Sequence, residues 1–89
     1  MIEMLKITRL ENDREQTLIL EGHLTWPWMR DLGSYWEETR QAHPEREFVV
    51  DLTGVTRIDR SGENALARMK DKGAKFVANG KDVTSRIFP

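Results

Sequence analysis

The run Glu47-Phe48-Val49-Val50-Asp51-Leu52 constrains this chain more than any other stretch. Its Phe-Val-Val core is β-branched and aromatic, so it is a strand. The run is continuous rather than alternating, the pattern of a strand covered on both faces. Helical patterns stand on either side of it, and further strands lie beyond them. Strands that alternate with helices pair in parallel through right-handed crossovers. The chain therefore reads as α/β, and its 89 residues set the size of the sheet. A domain of this mass should expose roughly 5,400 Å² when folded, enough for one thin core and no more. Residues 1–89 form a single domain on this reading.

Upstream, Met4–Leu10 and Gln16–Gly22 read as two strands. The polar turn Glu11–Arg14 joins them as an antiparallel hairpin. A helix follows from about Trp26 to Gln41, with Thr25 as its candidate N-cap and Pro27 tolerated in its first turn. Trp28, Leu32, Tyr35, Trp36 and Thr39 recur at helical spacing and form its inner stripe. Gly33 interrupts that helix at about 1 kcal/mol relative to Ala, a cost that close helix–sheet approach would explain. His43-Pro44-Glu45 ends it.

Downstream of the central strand, Thr53-Gly54 reads as a turn, with Val55 and Ile58 as apolar pins in a loop. A second helix spans about Ser61 to Lys72, buried through Ala65, Leu66 and Met69. Lys70 and Lys72 suit its C-terminal dipole, and Gly73 suits the position just past its end. Ala74–Ala78 is the last strand. Asn79-Gly80 is a turn, and Asp82 caps a final helical turn through Arg86. The expected order is β-β-α-β-α-β, a four-stranded mixed sheet with both helices on one face.

Charge is near balance overall, at −1, but it is divided. Residues 1–47 carry a net −4 and residues 48–89 a net +3. A balance this close to zero argues against a broad nucleic-acid footprint, and the basic residues lack interleaved aromatics for single strands. No apolar run is long enough to span a membrane. No signal-peptide pattern opens the chain. The absence of cysteine excludes a disulfide framework, a thiol nucleophile and thiolate metal sites, and it suits a reducing cytoplasm.

Several residues are candidates for chemistry. Ser61 stands at the mouth of the second helix, where free N–H groups favour an anion. A phosphate there would add roughly −2 charge beside Asp59 and Glu63, with Arg57 and Arg60 in reach. Its plainer role is an N-cap, worth about 1 kcal/mol. Asp51 and Asp59 invite a reading as paired carboxylates, but nothing supplies the cleft and opposing group that acid–base work needs. Asp51 is expected to bond loop amides, and Asp59 to cap or brace the helix start. His23 and His43 read as loop histidines with no ligand spacing around them. Trp28 and Trp36 suit the core; Trp26, beside Pro27, is the residue expected in solvent. Trp26 and Trp28 are the candidate anchors for a ligand or partner. No glycine pattern forms a phosphate cradle, and no nucleophile–base pair or metal set is visible. An enzyme is not expected, and no cofactor is.

The stretch Phe48-Val49-Val50-Asp51-Leu52-Thr53-Gly54-Val55-Thr56-Arg57-Ile58-Asp59-Arg60-Ser61-Gly62 resembles the signature of STAS domains, the modules shared by sulfate transporters and anti-sigma-factor antagonists. Gly73-Ala74-Lys75-Phe76-Val77 and Leu18-Ile19-Leu20-Glu21-Gly22-His23-Leu24-Thr25 match its later and earlier strand patterns. The resemblance implies a STAS-like fold shortened at its C-terminus, since many such domains carry a longer final helix. It implies regulation by binding to an anti-sigma factor, serine kinase or similar protein. The serine before the motif glycine, phosphorylated in antagonists of this kind, is Ser61. The expected interaction surface is the loop Thr56–Gly62, with Arg57, Asp59, Arg60, Ser61, Gly62 and Glu63 as its residues, together with the exposed side of helix 61–72. Two alternatives stand beside this reading. One is a module that binds a nucleotide, lipid or anion in a pocket near Pro27. The other is self-association through a strand edge or helix face.

Overall fold

The computed structural model describes residues 4–87. The hairpin forms as its turn chemistry directs. Strands β1 (Leu5–Glu11) and β2 (Glu15–Leu24) pair antiparallel. The Asn12 side chain holds the turn by accepting from the Arg14 and Glu15 amides at 2.8 and 3.0 Å. Helix α1 (Trp28–Ala42) leads to β3 (Glu47–Ile58), which pairs parallel with β2. Helix α2 (Arg60–Asp71) leads to β4 (Lys75–Ala78), parallel to β3 on its far side. The strands lie side by side in chain order. Two successive crossovers of the same hand, advancing in one direction, place both helices on one face.

The expected α/β class and the single-faced helix layer are therefore present. The sheet has five strands rather than four, because a short β5 (Lys81–Asp82) pairs antiparallel with β4. Asn79 and Gly80 both have positive φ, 53° and 76°, the geometry of a two-residue hairpin turn whose twist matches the strands. The turn was legible in sequence; the two-residue return strand was too short to show a pattern. Asp82 then accepts from the Thr84 amide at 2.9 Å and starts α3 (Thr84–Ile87), as expected.

The core is one cluster. Leu18 and Leu20 from β2, Phe48, Val50 and Leu52 from β3, and Phe76 from β4 face Leu32 and Trp36 of α1 and Leu66 and Met69 of α2. Trp36 and Phe48 meet edge to face, with centroids 5.9 Å apart. The alternate residues Ile19, Val49 and Val77 are only half-buried, so the continuous Phe-Val-Val run is covered on one face, not two. The folded surface of 5993 Å² accordingly exceeds the roughly 5,400 Å² typical of this mass.

Four further expectations are corrected. Strand β3 does not stop at Thr53-Gly54. It continues to Ile58 beside β2 through two register shifts, so the turn-forming residues become bulges. In α1, Met29 rather than Trp28 is buried, with Leu32, Trp36 and Thr39; Trp28 and Tyr35 are half-buried. The helix starts later than expected, after Pro27, and Thr25 provides no side-chain cap. Instead, the Thr25 carbonyl accepts from the Trp28 amide at 3.0 Å. Gly33 permits no close helix–sheet contact, since a Cβ there would meet nothing within 4 Å. At the end of α2, Gly73 has φ of 97°. Its amide donates to the Lys70 carbonyl while that of Ala74 donates to Met69, the expected left-handed cap.

Candidate functional site

The site gathers where β3 ends and α2 begins. Strand β3 delivers Asp59, whose extended backbone, with φ −100° and ψ −176°, makes it the N-cap of α2. One carboxylate oxygen accepts from the Gly62 amide at 2.9 Å and from the Ser61 hydroxyl at 2.7 Å. The other accepts from the Trp26 amide at 3.0 Å. One side chain thus ties the start of α2 to the segment that enters α1. These donors hold the Asp59 carboxyl below its ordinary value, with the Ser61 hydroxyl the largest cause and the Gly62 and Trp26 amides next.

Ser61 is therefore not the cap. It lies one turn position inside the helix, half-buried, and its hydroxyl is spent on Asp59. Gly62 is buried, because a Cβ on it would overlap the Leu24 carbonyl and press on the Ile58 side chain. It contributes close approach between α2 and β2, not a contact surface. Arg57, Arg60 and Glu63 are exposed around this junction. The expected loop Thr56–Gly62 does not exist as a loop: Thr56–Ile58 belong to β3, Arg60–Gly62 to α2, and Asp59 alone lies between. A loop was expected because Thr53 and Gly54 have turn chemistry. Pairing with β2 carries the strand past both.

The two tryptophan candidates separate. Trp26 is 62% exposed and stands on the lip of a groove of about 540 Å³ between α1 and α2. Trp28 packs against the core elsewhere and is not part of that groove. Trp36, assigned to the core from its spacing, does lie in the core, and it also forms part of the groove wall. Ser61 lines the same groove, together with Met29, Arg30, Ala65 and Arg68. No motif announces the groove in sequence, because its walls come from helix faces some thirty residues apart.

The remaining candidates do not assemble. Asp51 accepts from the Thr53 amide at 2.9 Å, the backbone role expected of it. It stands on the uncovered sheet face, on the order of 20 Å along β3 from Asp59, so the two carboxylates are not a pair. His23 is in β2 opposite Arg57 rather than in a loop. His43 caps the end of α1, with Nδ1 3.4 Å from Glu45. Among the described residues, no group of three or more His, Cys, Asp or Glu could hold a metal ion. No described helix is long and apolar enough to cross a membrane.

No sequence-family model and no curated protein match this chain. Its architecture does have solved counterparts. The crystal structure of an antisigma-factor antagonist, the STAS domain from Rhodobacter sphaeroides, superposes with a TM-score of 0.62. The alignment covers 85% of this chain and 86% of that one, at 19% identity. The chain has the STAS fold. Within that fold, Asp59-Arg60-Ser61-Gly62 occupies the strand-to-helix junction, and the groove runs away from it between the two long helices.

Proposed function

We propose that this STAS-fold domain is a non-enzymatic regulatory module that binds an anti-sigma factor or similar protein, with Ser61 as its phosphorylation switch. The observation that carries this reading is the Asp59 carboxylate, which links Ser61, the start of α2 and Trp26 in one hydrogen-bonded unit. A phosphate on Ser61 would remove the hydroxyl proton that Asp59 accepts. It would also set roughly two negative charges against that carboxylate. The free N–H groups of the first helical turn favour the phosphate; Asp59 opposes it. The local outcome is a rearranged lip at Trp26 and a net negative charge at a junction where Arg57 and Arg60 otherwise balance Asp59 and Glu63.

The test is partner capture with Ser61→Ala and Ser61→Asp chains. Ser61→Ala should retain the partner and Ser61→Asp should lose it. Equal binding by both would remove the switch.

A second reading is favoured by the size of the groove, which matches that of small-ligand sites. On that reading the module binds a nucleotide, lipid or anion beside Trp26. Tryptophan emission should then shift during a ligand titration. A flat response across nucleotides, fatty acids and inorganic anions would count against it.

A further inference from the structure

We infer that the groove between α1 and α2 is the seat of an acidic amphipathic helix supplied by the binding partner. The inference rests on the reading of this domain as a protein-binding module and adds the chemistry of what it binds. The groove is bounded on one side by Ser61, Asn64, Ala65, Arg68, Met69 and Lys72. These are spaced three or four residues apart, or adjacent, so they form one unbroken stripe of α2. From Ser61 to Lys72, the cap residue just past α2, eleven helical steps rise about 16 Å, or three turns. An open channel of that length between two helices has the shape that receives a third helix by ridge-and-groove packing.

The chemistry of the wall specifies what such a helix carries. Met29, Ala65 and Met69 supply an apolar floor, and Trp36 closes one side. The Trp36 indole N–H is buried with no hydrogen-bond partner among the described residues. The charged lining residues are Arg30, Arg68, Lys72 and Glu37, a local net of +2 on a chain whose total is −1. Glu37 is already engaged, by Arg40 at 3.0 Å and Lys72 at 3.8 Å. Arg30 lines the groove from α1 and Arg68 from α2, and neither side chain has an ion-pair or hydrogen-bond partner among the described residues. Asp31, Glu38, Glu63 and Asp71, the other acids of these helices, lie outside the lining. Of the cations on these helices, Arg30 and Arg68 line the groove with Lys72, while Arg40, Arg60 and Lys70 lie outside it; of the five acids only Glu37 lines it, so the groove carries +2 and the outer faces −1. Such a site attracts apolar side chains at i, i+3 or i+4 and i+7, flanked by carboxylates, and repels a basic helix. Ser61 stands at one end of it, so a phosphate there would cancel most of the positive lining.

The experiment is selection of displayed 14-residue helical peptides on the full chain, with binding then measured to variants. The expected winners carry apolar residues at helical spacing flanked by Asp or Glu. Arg30→Glu/Arg68→Glu should weaken them about tenfold or more, and so should raised salt. The charge-matched control Arg14→Glu/Lys81→Glu should not. Circular dichroism establishes that each variant is folded; if the groove pair is unfolded, Arg30→Ala and Arg68→Ala singly take its place. Winners without acidic excess, retention by the groove variants, or no winners at all would overturn the inference. So would binding of dodecyl phosphate, with a Trp26 emission shift, in the absence of any peptide. If the groove variants lose the peptides while Ser61→Ala and Ser61→Asp bind equally, the groove stands and the phosphorylation switch falls.

Discussion

Two glycines in helices make opposite predictions for one substitution. Gly62 lies in the first turn of α2 and Gly33 in the middle of α1. In an isolated helix, Gly→Ala is favourable by up to about 1 kcal/mol, because alanine has less backbone entropy to lose. At Gly33 nothing lies within 4 Å of an added Cβ, so that gain should be realised. Gly33→Ala should stabilise by about 0.5–1 kcal/mol, or about 4–8 °C in Tm per kcal/mol for a domain of this size. At Gly62 the added methyl would overlap the Leu24 carbonyl and approach its carbon and Ile58 Cγ2 at about 3 Å. The Leu24 carbonyl also accepts the Asp59 amide at 3.2 Å, so it cannot retreat without breaking the contact that closes β3 onto β2. Overpacking against such a wall costs about 1–3 kcal/mol. After the helix gain, Gly62→Ala should still lose about 1–2 kcal/mol. Urea unfolding followed by tryptophan fluorescence measures both. A neutral or stabilising Gly62→Ala, or two substitutions that move stability in the same direction, would refute the opposed packing of these two glycines.

Asp59 titrates below its ordinary value, so its contribution is present above about pH 4 and is lost as pH falls through the lower folded value. The stability of Asp59→Asn should therefore fall less steeply below pH 4 than that of the parent. Carbon-13 NMR titration should show the Asp59 midpoint rising in Ser61→Ala, because that hydroxyl is the largest cause of the lowering; an unchanged midpoint would contradict the assignment. Phe76 is fully buried, and Phe76→Ala should cost about 3–5 kcal/mol, visible as loss of most cooperative unfolding on heating. Gly80 has φ of 76°, so Gly80→Val should weaken the β4–β5 hairpin, read as faster amide exchange at Val83, which donates to the Phe76 carbonyl at 2.8 Å.

Much of this architecture is legible in one dimension. The Phe48–Leu52 run, the helical spacing of Ala65, Leu66 and Met69, and Gly73 at its left-handed cap are properties of residues within a few positions of one another. Local conformation and burial period are recorded there, so strand order, crossover pairing and helix ends can be read. The Ser61–Gly62 junction is legible for the same reason, as a serine followed by a glycine at a helix mouth. What failed was local evidence that distant pairing overrode. Thr53-Gly54 has turn chemistry, yet β2 supplies hydrogen bonds that carry β3 past it. Ser61 has cap chemistry, yet Asp59 takes the capping position, and Trp26, 33 residues away, binds its second oxygen. Trp28 and Met29 sit side by side in sequence, and the angle at which α1 meets the sheet decides that Met29 is buried.

The sequence by itself determined the α/β class, the parallel pairing around β3 and the presence of a polar junction at Ser61, because each follows from short-range periodicity and backbone preference. Tertiary structure decided the groove. Arg30 and Arg68 are 38 positions apart and belong to different amphipathic patterns. Only the packing of α1 and α2 on one sheet face brings their unpaired charges into the lining of one channel, with Ser61 at its end.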